Sequence, residues 1–500
     1  MKKKKVVGII GSGFSGLSAA AYLAKAGFEV HVFEQNESAG GRARSFSTPD
    51  GFSFDMGPSW YWMPDVFENF FADFNSSAAN HFELKKLDPS FSVVFNSNEI
   101  VDIPSSFEDL CLLFESIEKG AAKQLMRFMS DAEQKYSIAM SKLVHMPGLS
   151  VKELLNKEVL SGALKLNLLT NFRSFVNSYF KDERLRKIME FPILFLGAKP
   201  QDTPALYSMM NYAGLKMGTY YPMGGFASVV NAMQQTAESE GATFHFNARV
   251  EKIIHQDNSI TEIIVNGQRK RIDFVLSAAD YAHTETLMDK SCRNYTPNYW
   301  SKRTFAPSSL IFYLGIDQTI ESLNHHTLFF DESFDQHAVE IYDHPKWPSK
   351  PLFYVCCPSK SDPAVAPQGT ENLFILIPLA SGLKDHKELH KHYFELVVSR
   401  FQKIYSIDLS KHLLYSRSYA INDFVQDYNA YGGNAYGLAN TLLQTAHFKP
   451  SMRNKKLSNL FYSGQLTVPG PGVPPCIVSG KIAAQLINKS FKMNLDEAVV

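Results

Sequence analysis

Residues 6–34 place a strand, a glycine-rich turn, a helix and a second strand in direct succession. The apolar run Val6–Ile10 leads into the turn, where Gly11 permits a sharp reversal and Gly13 lets the backbone approach a pyrophosphate. Gly16 allows the helix to pack closely on the strand, and the first N–H groups of the helix are free to bind phosphate. We therefore predict a dinucleotide phosphate site formed by Gly11, Ser12, Gly13, Phe14, Ser15 and Gly16.

The second strand, residues 29–33, is followed by Glu34. A carboxylate at the end of this strand can accept hydrogen bonds from a ribose 2′-hydroxyl, whereas it repels a 2′-phosphate. The sequence therefore favours FAD or NAD over NADP.

Two later clusters favour a flavin. Gly41 and Arg42 follow shortly after Glu34, where a glycine lets the chain pass beneath a flavin and the arginine can face phosphate or the isoalloxazine. Gly57, Pro58 and Ser59 follow a predicted strand and suit a backbone that packs against a flat ligand.

The remaining cofactor candidates lie in the second half of the chain. Val250, in a strand that follows a Gly-Gly-initiated helix, is predicted to offer backbone groups to the adenine. Gly464 ends another strand and precedes a proline-rich loop, residues 468–475, which includes Val473. Since proline fixes its own backbone, we predict a rigid loop beside the flavin.

Composition excludes several classes of partner. The 50 basic and 50 acidic residues balance, so no net charge favours nucleic acid. No apolar stretch approaches the roughly 18 residues of a transmembrane helix. The five cysteines have no metal-ligand spacing and predict a reduced, cytoplasmic chain. Aromatic residues make up 13% of the chain and leave material for an apolar pocket.

The length and motif order predict an α/β fold in which a Rossmann-type domain is interleaved with a substrate domain made of an antiparallel sheet and helices. Helical stretches are expected at residues 106–129 and 151–180, a strand pair at 91–103, a strand-like stretch at 243–253 and a hairpin at 266–267. The expected boundaries are FAD-binding parts at 1–64, 221–289 and 441–500, a helical substrate region at 65–220 and a substrate sheet at 290–440.

His325, His326 and Asp331 are potential metal ligands. Adjacent histidines on a strand point to opposite faces, so no metal site is expected here. Cys356 and its neighbour are interpreted as parts of a buried strand.

The motifs together resemble the FAD-dependent carotenoid desaturases, and bacterial phytoene desaturases in particular. The resemblance spans residues 5–490 and is carried by GSGFSGLSAAAYLAKAG, FEQNESAGGRA, DMGPSWYWMPDVFE, LFLGAKPQDTPALYSMMNYAGLKMGTYYPMGGF, APSSLIFYLGI and FYSGQLTVPGPGVPPCIVSGK. It implies FAD, a flavin amine oxidase-like architecture and the glycine, Glu34, Arg42 and Val250 contacts described above.

The same resemblance implies desaturation of phytoene towards lycopene, with Trp60, Trp62 and Tyr220 shaping a channel. A long-chain carotenoid reaches the enzyme from a bilayer, so peripheral attachment to the inner membrane is expected, with quinone or oxygen as electron acceptor. No catalytic acid or base is assigned.

Five alternatives are weighed at this stage. The substrate could be a hydroxycarotenoid, for a 3,4-desaturase, or diapophytoene. The amine oxidases share the cofactor motifs, and isoprenoid-binding escort proteins share the architecture but bind no flavin. A plain NAD dehydrogenase is disfavoured, because it lacks the C-terminal strand, proline-rich loop and helix of residues 459–487.

Overall fold

A computed structural model describes residues 4–150, 170–195 and 197–497 of the 500-residue chain. Its strands are β1 Val6–Ile10, β2 Glu29–Phe33, β3 Ser45–Ser47, β4 Ser53–Asp55, β5 Leu84–Lys86, β6 Phe91–Asn96, β7 Glu99–Ile103, β8 Tyr220–Pro222, β9 Thr243–His245, β10 Val250–Gln256, β11 Ser259–Val265, β12 Gln268–Arg271, β13 Phe274–Ser277, β14 Ser308–Ile316, β15 His326–Phe329, β16 Phe353–Cys356, β17 Glu371–Leu379, β18 Leu413–Tyr419 and β19 Leu460–Tyr462.

The α-helices of five or more residues are α1 Phe14–Lys25, α2 Pro64–Ala72, α3 Phe107–Ile117, α4 Ala121–Ile138, α5 Phe172–Asn177, α6 Glu183–Phe195, α7 Phe226–Ser239, α8 Tyr281–Thr286, α9 Pro297–Ser301, α10 Phe334–Tyr342, α11 Lys387–Tyr405, α12 Ile421–Tyr428 and α13 Val473–Glu497. Short stretches of 3₁₀ and π-helix lie between several of them.

The first layer is a parallel sheet of five strands in the order β19-β13-β1-β2-β9. Its central strand β1 is buried from Val7 to Ile10, as expected for a strand covered on both faces. Helix α1 packs against α7 and α13, so the first and last segments of the chain form one unit. The predicted Rossmann-type fold is confirmed.

The second layer is a mixed sheet of seven strands in the order β18-β14-β17-β16-β15-β6-β7. The expectation of a purely antiparallel sheet is wrong at one place, because β15 pairs in parallel with β6. The predicted strand pair at 91–103 forms, as β6 and β7. It joins a sheet whose other strands come from residues 308–419.

Several element boundaries differ from the predictions. The helix expected at 106–129 is interrupted, because α3 ends at Ile117 and α4 begins only after Gly120, whose φ is +87°. The strand expected at 243–253 divides at Asn247, with φ +51°, and its halves join different sheets. Of the helix expected at 151–180, residues 151–169 lie outside the described part, and α5 covers Phe172–Asn177.

The hairpin at residues 266–267 forms as predicted between β11 and β12, with positive φ at both Asn266 and Gly267. In the described ranges, no helix combines the length and the apolar character needed to cross a bilayer.

Candidate functional site

The glycine-rich turn lies at the carboxyl end of β1, where ligands of open parallel sheets bind. Gly11 has a φ of +92°, and a side chain there would be strained. A Cβ on Gly16 would lie 2.1 Å from the Gly11 carbonyl oxygen, so the helix can approach the turn only with glycine at this position. Ser12, Phe14 and Ser15 are buried around the turn.

Glu34 is buried at the end of β2 and holds the turn. Its Oε2 accepts hydrogen bonds from the N–H and the hydroxyl of Ser12, both at 2.9 Å. Its Oε1 accepts hydrogen bonds from the backbone N–H of Asn36 at 3.0 Å and from the Asn36 Nδ2 at 2.8 Å. A carboxylate has about four acceptor sites, and these four hydrogen bonds use them. A ribose hydroxyl would therefore have to replace the side-chain donor of Ser12 or of Asn36.

Gly40 and Gly41 bring a second segment against the phosphate turn. The Gly40 N–H donates to the Ser12 carbonyl at 2.9 Å. A Cβ on Gly41 would lie 3.2 Å from the Gly13 Cα, and Gly41 has a φ of +57°. The two backbones therefore meet along a surface without side chains, which suits close contact with a flat or extended ligand.

Arg42 lies next to this contact. Its Nη2 donates to the Asn434 carbonyl at 3.0 Å, and its guanidinium lies 5.2 Å from the centre of the Tyr428 ring. Burial lowers the pKa of Arg42, and the carboxylate of Asp280 opposes this shift. The buried Nε has no partner among the described residues, which leaves a donor for an anionic or polar ligand.

The hairpin β3–β4 brings Gly57 to the same place. A Cβ on Gly57 would lie 2.7 Å from the Arg42 carbonyl oxygen, so only glycine fits. Pro58 and Ser59 continue this loop towards the seven-stranded sheet, where the Ser59 hydroxyl lies 2.9 Å from the Tyr354 hydroxyl.

Val250 begins β10 and is buried. The chain just before it lies alongside the end of β2, because the Ala248 N–H donates to the Glu34 carbonyl at 2.7 Å. Val250 therefore lies two residues beyond Ala248, which contacts Glu34 directly.

The C-terminal segment, from Gly464 into α13, also lies against the glycine-rich turn. Gly464 has a φ of +104°, and a Cβ there would lie 3.2 Å from the Ser15 hydroxyl. Its N–H donates to the Ser479 hydroxyl at 3.0 Å in α13, the helix that Val473 begins. A Cβ on Gly480 would lie 2.3 Å from the Ser15 carbonyl oxygen, so α1 and α13 are in close contact.

Sequence reasoning missed the partners that complete this arrangement, Asp280 and Ser479. Asp280 follows β13 and caps α8, and its carboxylate accepts from the N–H groups of His283 and Tyr431. The sequence could have indicated Asp280, since an acidic residue directly after a strand of a parallel sheet often binds a ligand. Ser479 gave no such signal, because its contact depends on how α13 packs.

The interpretation of the two histidines is wrong in its geometry. His325 precedes β15 rather than lying within it, so strand alternation does not apply, and the ring centres of His325 and His326 are 4.5 Å apart. With Cys356 they bring three potential ligand atoms within 4.8 Å of one another. Asp331 is not part of this group and pairs with Arg400. Cys356 lies in the buried strand β16, as predicted.

The three aromatic residues expected to shape a channel are near one another. The Trp60 and Trp62 rings are 5.4 Å apart, and the Tyr220 N–H donates to the Tyr61 carbonyl at 3.2 Å. Trp60 also stacks on the His326 ring at 4.1 Å and 11°. These rings form an aromatic wall between the loop after β4 and the seven-stranded sheet.

A cavity lies beside this wall. It is lined by Phe54, Asp55, Ser59, Tyr221, Cys356, Pro358 and Phe374. Burial raises the pKa of Asp55 to about 7, and the hydrogen bonds from the N–H groups of Phe226 and Ala227 oppose the shift. The glycine-lined cradle is therefore followed along the chain by an aromatic segment, residues 60–62, whose Trp60 ring stacks on the seven-stranded sheet at His326.

Comparison with known sequences agrees with this geometry. The profile of the family described as flavin containing amine oxidoreductase matches residues 14–488. The carotenoid 3,4-desaturase of Haloarcula japonica is 39% identical over 483 residues, which cover 96% of this chain and 97% of that protein. A 4,4′-diapophytoene desaturase (4,4′-diaponeurosporene-forming) of Staphylococcus aureus is 29% identical over 504 residues, covering 98% and 100%.

Solved structures share the fold. Cyclohexylamine oxidase from Brevibacterium oxydans superposes with a TM-score of 0.60 at 15% identity, covering 98% of this chain and all of that one. An oxidoreductase from Methanosarcina mazei gives a TM-score of 0.61 at 17% identity, covering 96% and 100%. At these identities the likeness establishes the architecture alone.

Proposed function

Because the chain belongs to the flavin-containing amine oxidoreductase family, and within it to the carotenoid desaturases, we propose that it uses FAD to desaturate an acyclic carotenoid at the 3,4-position. The 39% identity to a carotenoid 3,4-desaturase over nearly the whole chain supports this choice of bond. Phytoene, which the sequence alone favoured, and diapophytoene are the second candidates.

The residues of the cradle fit FAD. Close contacts at Gly16, Gly41, Gly57 and Gly464 leave little room for Cβ atoms, whereas a Cβ on Gly13 would meet no atom closer than 3.9 Å. Glu34 lies where a ribose hydroxyl would bind, and the free Nε of Arg42 points to a ligand acceptor. We assign the phosphates to the turn at residues 11–16, the adenine end to Val250, and the isoalloxazine to the region of Arg42, Ser59, Gly464 and Val473.

Desaturation removes a hydride and a proton from adjacent carbons of the substrate. A bound flavin supplies the hydride acceptor. The positive charge left on the substrate is stabilised by its own conjugated double bonds, so the chain need only orient the polyene and exclude water. Trp60 and Trp62 provide such an apolar, ordered wall beside the cradle.

The observation that carries this proposal is the convergence of both ends of the chain on one glycine-lined cradle next to the aromatic wall of Trp60 and Trp62. Expression in cells that accumulate phytoene, diapophytoene, lycopene or hydroxylated lycopene, followed by pigment extraction, tests it. We expect a longer chromophore from an acyclic substrate whose 3,4-bond is saturated. Unchanged pigments in all four strains would contradict the proposal.

We also propose that the enzyme binds the membrane surface peripherally and passes electrons to a quinone or oxygen. Leu443 and Phe448 lie on one short loop and are 72% and 54% exposed, which suits insertion into a lipid interface. Replacing both by glutamate should abolish flotation with anionic liposomes, whereas Leu414→Glu, at an equally apolar but distant exposed site, should not. Equal flotation of all three proteins would contradict this surface.

A further inference from the structure

On the basis of the proposed function, we propose that Lys449 is the base that accepts the proton released in desaturation. The substrate gives a hydride to the flavin, which is the oxidant. The C–H bond on the adjacent carbon then breaks, its electron pair forms the new C=C bond, and the proton forms an N–H bond on the Lys449 amine. The ammonium group returns this proton to water before the next turnover.

Lys449 is buried without an acidic partner. The residue is 4% exposed, and its Nζ donates one hydrogen bond, to the Asn440 Oδ1 at 3.1 Å. An ammonium group has three donors, so two of them have no acceptor among the residues that the structure describes, and no carboxylate of that part of the chain forms an ion pair with it. Buried lysines without a partner are rare in folded proteins. The neutral amine fits better, since it has one donor fewer and offers its lone pair to a ligand.

The protonation state agrees with this geometry. Burial lowers the pKa of Lys449 from 10.5 to about 7. A substantial fraction of the amine is therefore neutral near pH 7, which is the form that a base requires.

The segment that contains Lys449, and the elements packed on it, carry few other ionisable side chains. The His447 Nδ1 lies 2.8 Å from a backbone carbonyl oxygen, and the Tyr207 hydroxyl lies 3.0 Å from a threonine hydroxyl. Burial raises the pKa of Tyr436 to about 12. The loop at residues 464–475 contains no ionisable side chain. These groups are therefore engaged elsewhere or do not titrate near pH 7.

Lys449 lies against the loop assigned to the isoalloxazine. A Cβ on Gly470 would lie 3.3 Å from the Lys449 Nζ, so the amine reaches the backbone of this loop where it has no side chain. The loop follows Gly464, where a Cβ would contact Ser15 of the phosphate turn, and it ends where Val473 begins α13. The amine and the proposed position of the flavin ring therefore border the same short loop.

A second segment, residues 434–440, connects the amine to Arg42. At its start, the Asn434 carbonyl accepts a hydrogen bond from the Arg42 Nη2 at 3.0 Å. In its middle, a Cβ on Gly437 would lie 3.0 Å from a carbonyl oxygen of the same loop, so the segment packs closely along it. Its last residue accepts the hydrogen bond from Lys449. Arg42 and Lys449 therefore lie at opposite ends of one wall of the cradle.

The residue before Lys449 faces outward. Phe448 is more than half exposed and belongs to the surface proposed above for the lipid interface, whereas Lys449 is buried. Lys449 therefore lies between the proposed membrane contact and the cradle. A carotenoid that enters from this surface would pass the amine on its way to the flavin.

A neutral amine suits proton transfer from a hydrocarbon in an apolar site. Loss of the hydride leaves a carbocation, and loss of the proton then moves the positive charge from the substrate to the Lys449 Nζ, so the charge of the site does not change in this step. A buried carboxylate would carry a charge before the reaction, at a high cost in desolvation. The Asn440 Oδ1 is in position to accept a hydrogen bond from the ammonium group that forms.

The test mixes FAD-loaded protein anaerobically with lycopene hydrated at one terminal double bond, in a single turnover. Below pH 7, the wild-type rate of polyene formation should rise about tenfold per pH unit, and above it the rate should level off, since only the neutral amine accepts a proton. Lys449→Met keeps the length of the side chain, and it should react at least about 100-fold more slowly and lose this pH dependence. The control Lys135→Met removes a lysine that is equally buried but paired with Asp131, and it should keep the wild-type pH profile.

Chemical rescue distinguishes a base from a positive charge. Ethylamine should restore turnover to Lys449→Ala, and more strongly as the pH rises, whereas tetramethylammonium has no lone pair and should not. The flavin spectrum supplies a readout without turnover. Between pH 5 and 9 the absorbance of the oxidised flavin should shift in wild type with a midpoint near 7 and stay constant in Lys449→Met. Both variants should retain FAD like wild type, which shows that they fold.

Wild-type turnover together with an unchanged rate and pH profile in Lys449→Met would overturn the inference and leave the proposed function intact. Rescue by tetramethylammonium as well as ethylamine would also overturn it, because Lys449 would then act through its charge. A wild-type protein that binds FAD but converts none of the four carotenoids named above would contradict the proposed function, and the inference with it.

Discussion

Replacing Glu34 by glutamine tests the ribose site while preserving the size of the side chain. The carboxylate accepts two hydrogen bonds from Ser12 and two from Asn36, all between 2.8 and 3.0 Å. Glutamine has one acceptor oxygen, so its amide NH₂ would face the donors of one neighbour. A buried N–H left unpaired costs about 1–3 kcal/mol, and the bond to a ribose hydroxyl loses its charge assistance.

Since 1.4 kcal/mol corresponds to a factor of ten, we expect the FAD dissociation constant to rise about 10- to 100-fold. The assay is a fluorescence titration of flavin-free protein with FAD and, in parallel, with FMN, which lacks the adenosine ribose. The affinity for FMN should fall much less than that for FAD, and the exposed control Glu37→Gln should bind FAD like wild type. Equal loss of both flavins, or wild-type FAD binding by Glu34→Gln, would refute the assignment of Glu34 to the ribose.

Two further predictions concern stability. Gly480→Ala places a methyl group 2.3 Å from the Ser15 carbonyl oxygen, so it should lower the free energy of unfolding by about 1–3 kcal/mol. The variant should also release flavin at a lower temperature than wild type. The control Gln485→Ala, on the exposed side of the same helix, should do neither. Because the folded pKa of Asp55 is raised from 3.8 to about 7, the folded state keeps a proton that the unfolded state loses, and wild-type stability should fall as pH rises between these values. In Asp55→Asn the free energy of unfolding, measured by denaturant titration from pH 4 to 8, should depend less on pH than in wild type. The same pH dependence in both proteins would contradict the raised pKa of Asp55.

The part of the site that the sequence predicted best is the part encoded locally. The strand before Gly11, the helix after it and the acid at Glu34 follow from the spacing of apolar and glycine residues within 30 positions. The turn at Asn266 and Gly267 was equally predictable, because both residues tolerate positive φ.

The remainder depends on contacts between distant segments. Arg42 donates to the carbonyl of Asn434, which is 392 positions away in the chain, and it feels the charge of Asp280 after β13. The parallel pairing of β6 with β15 joins strands more than 200 residues apart, and no periodicity encodes it. The relative orientation of His325 and His326 was predicted wrongly because His325 lies just before the strand, where the alternation of side chains along a strand does not apply.

The central claim is that both ends of the chain form one FAD site that oxidises a carotenoid. Anaerobic single-turnover mixing of the flavin-loaded protein with hydrated lycopene tests it most directly. We expect the flavin absorbance to bleach in step with the appearance of a longer polyene chromophore, in equal amounts. Protein that binds no FAD, or flavin that stays oxidised while substrate is bound, would contradict it.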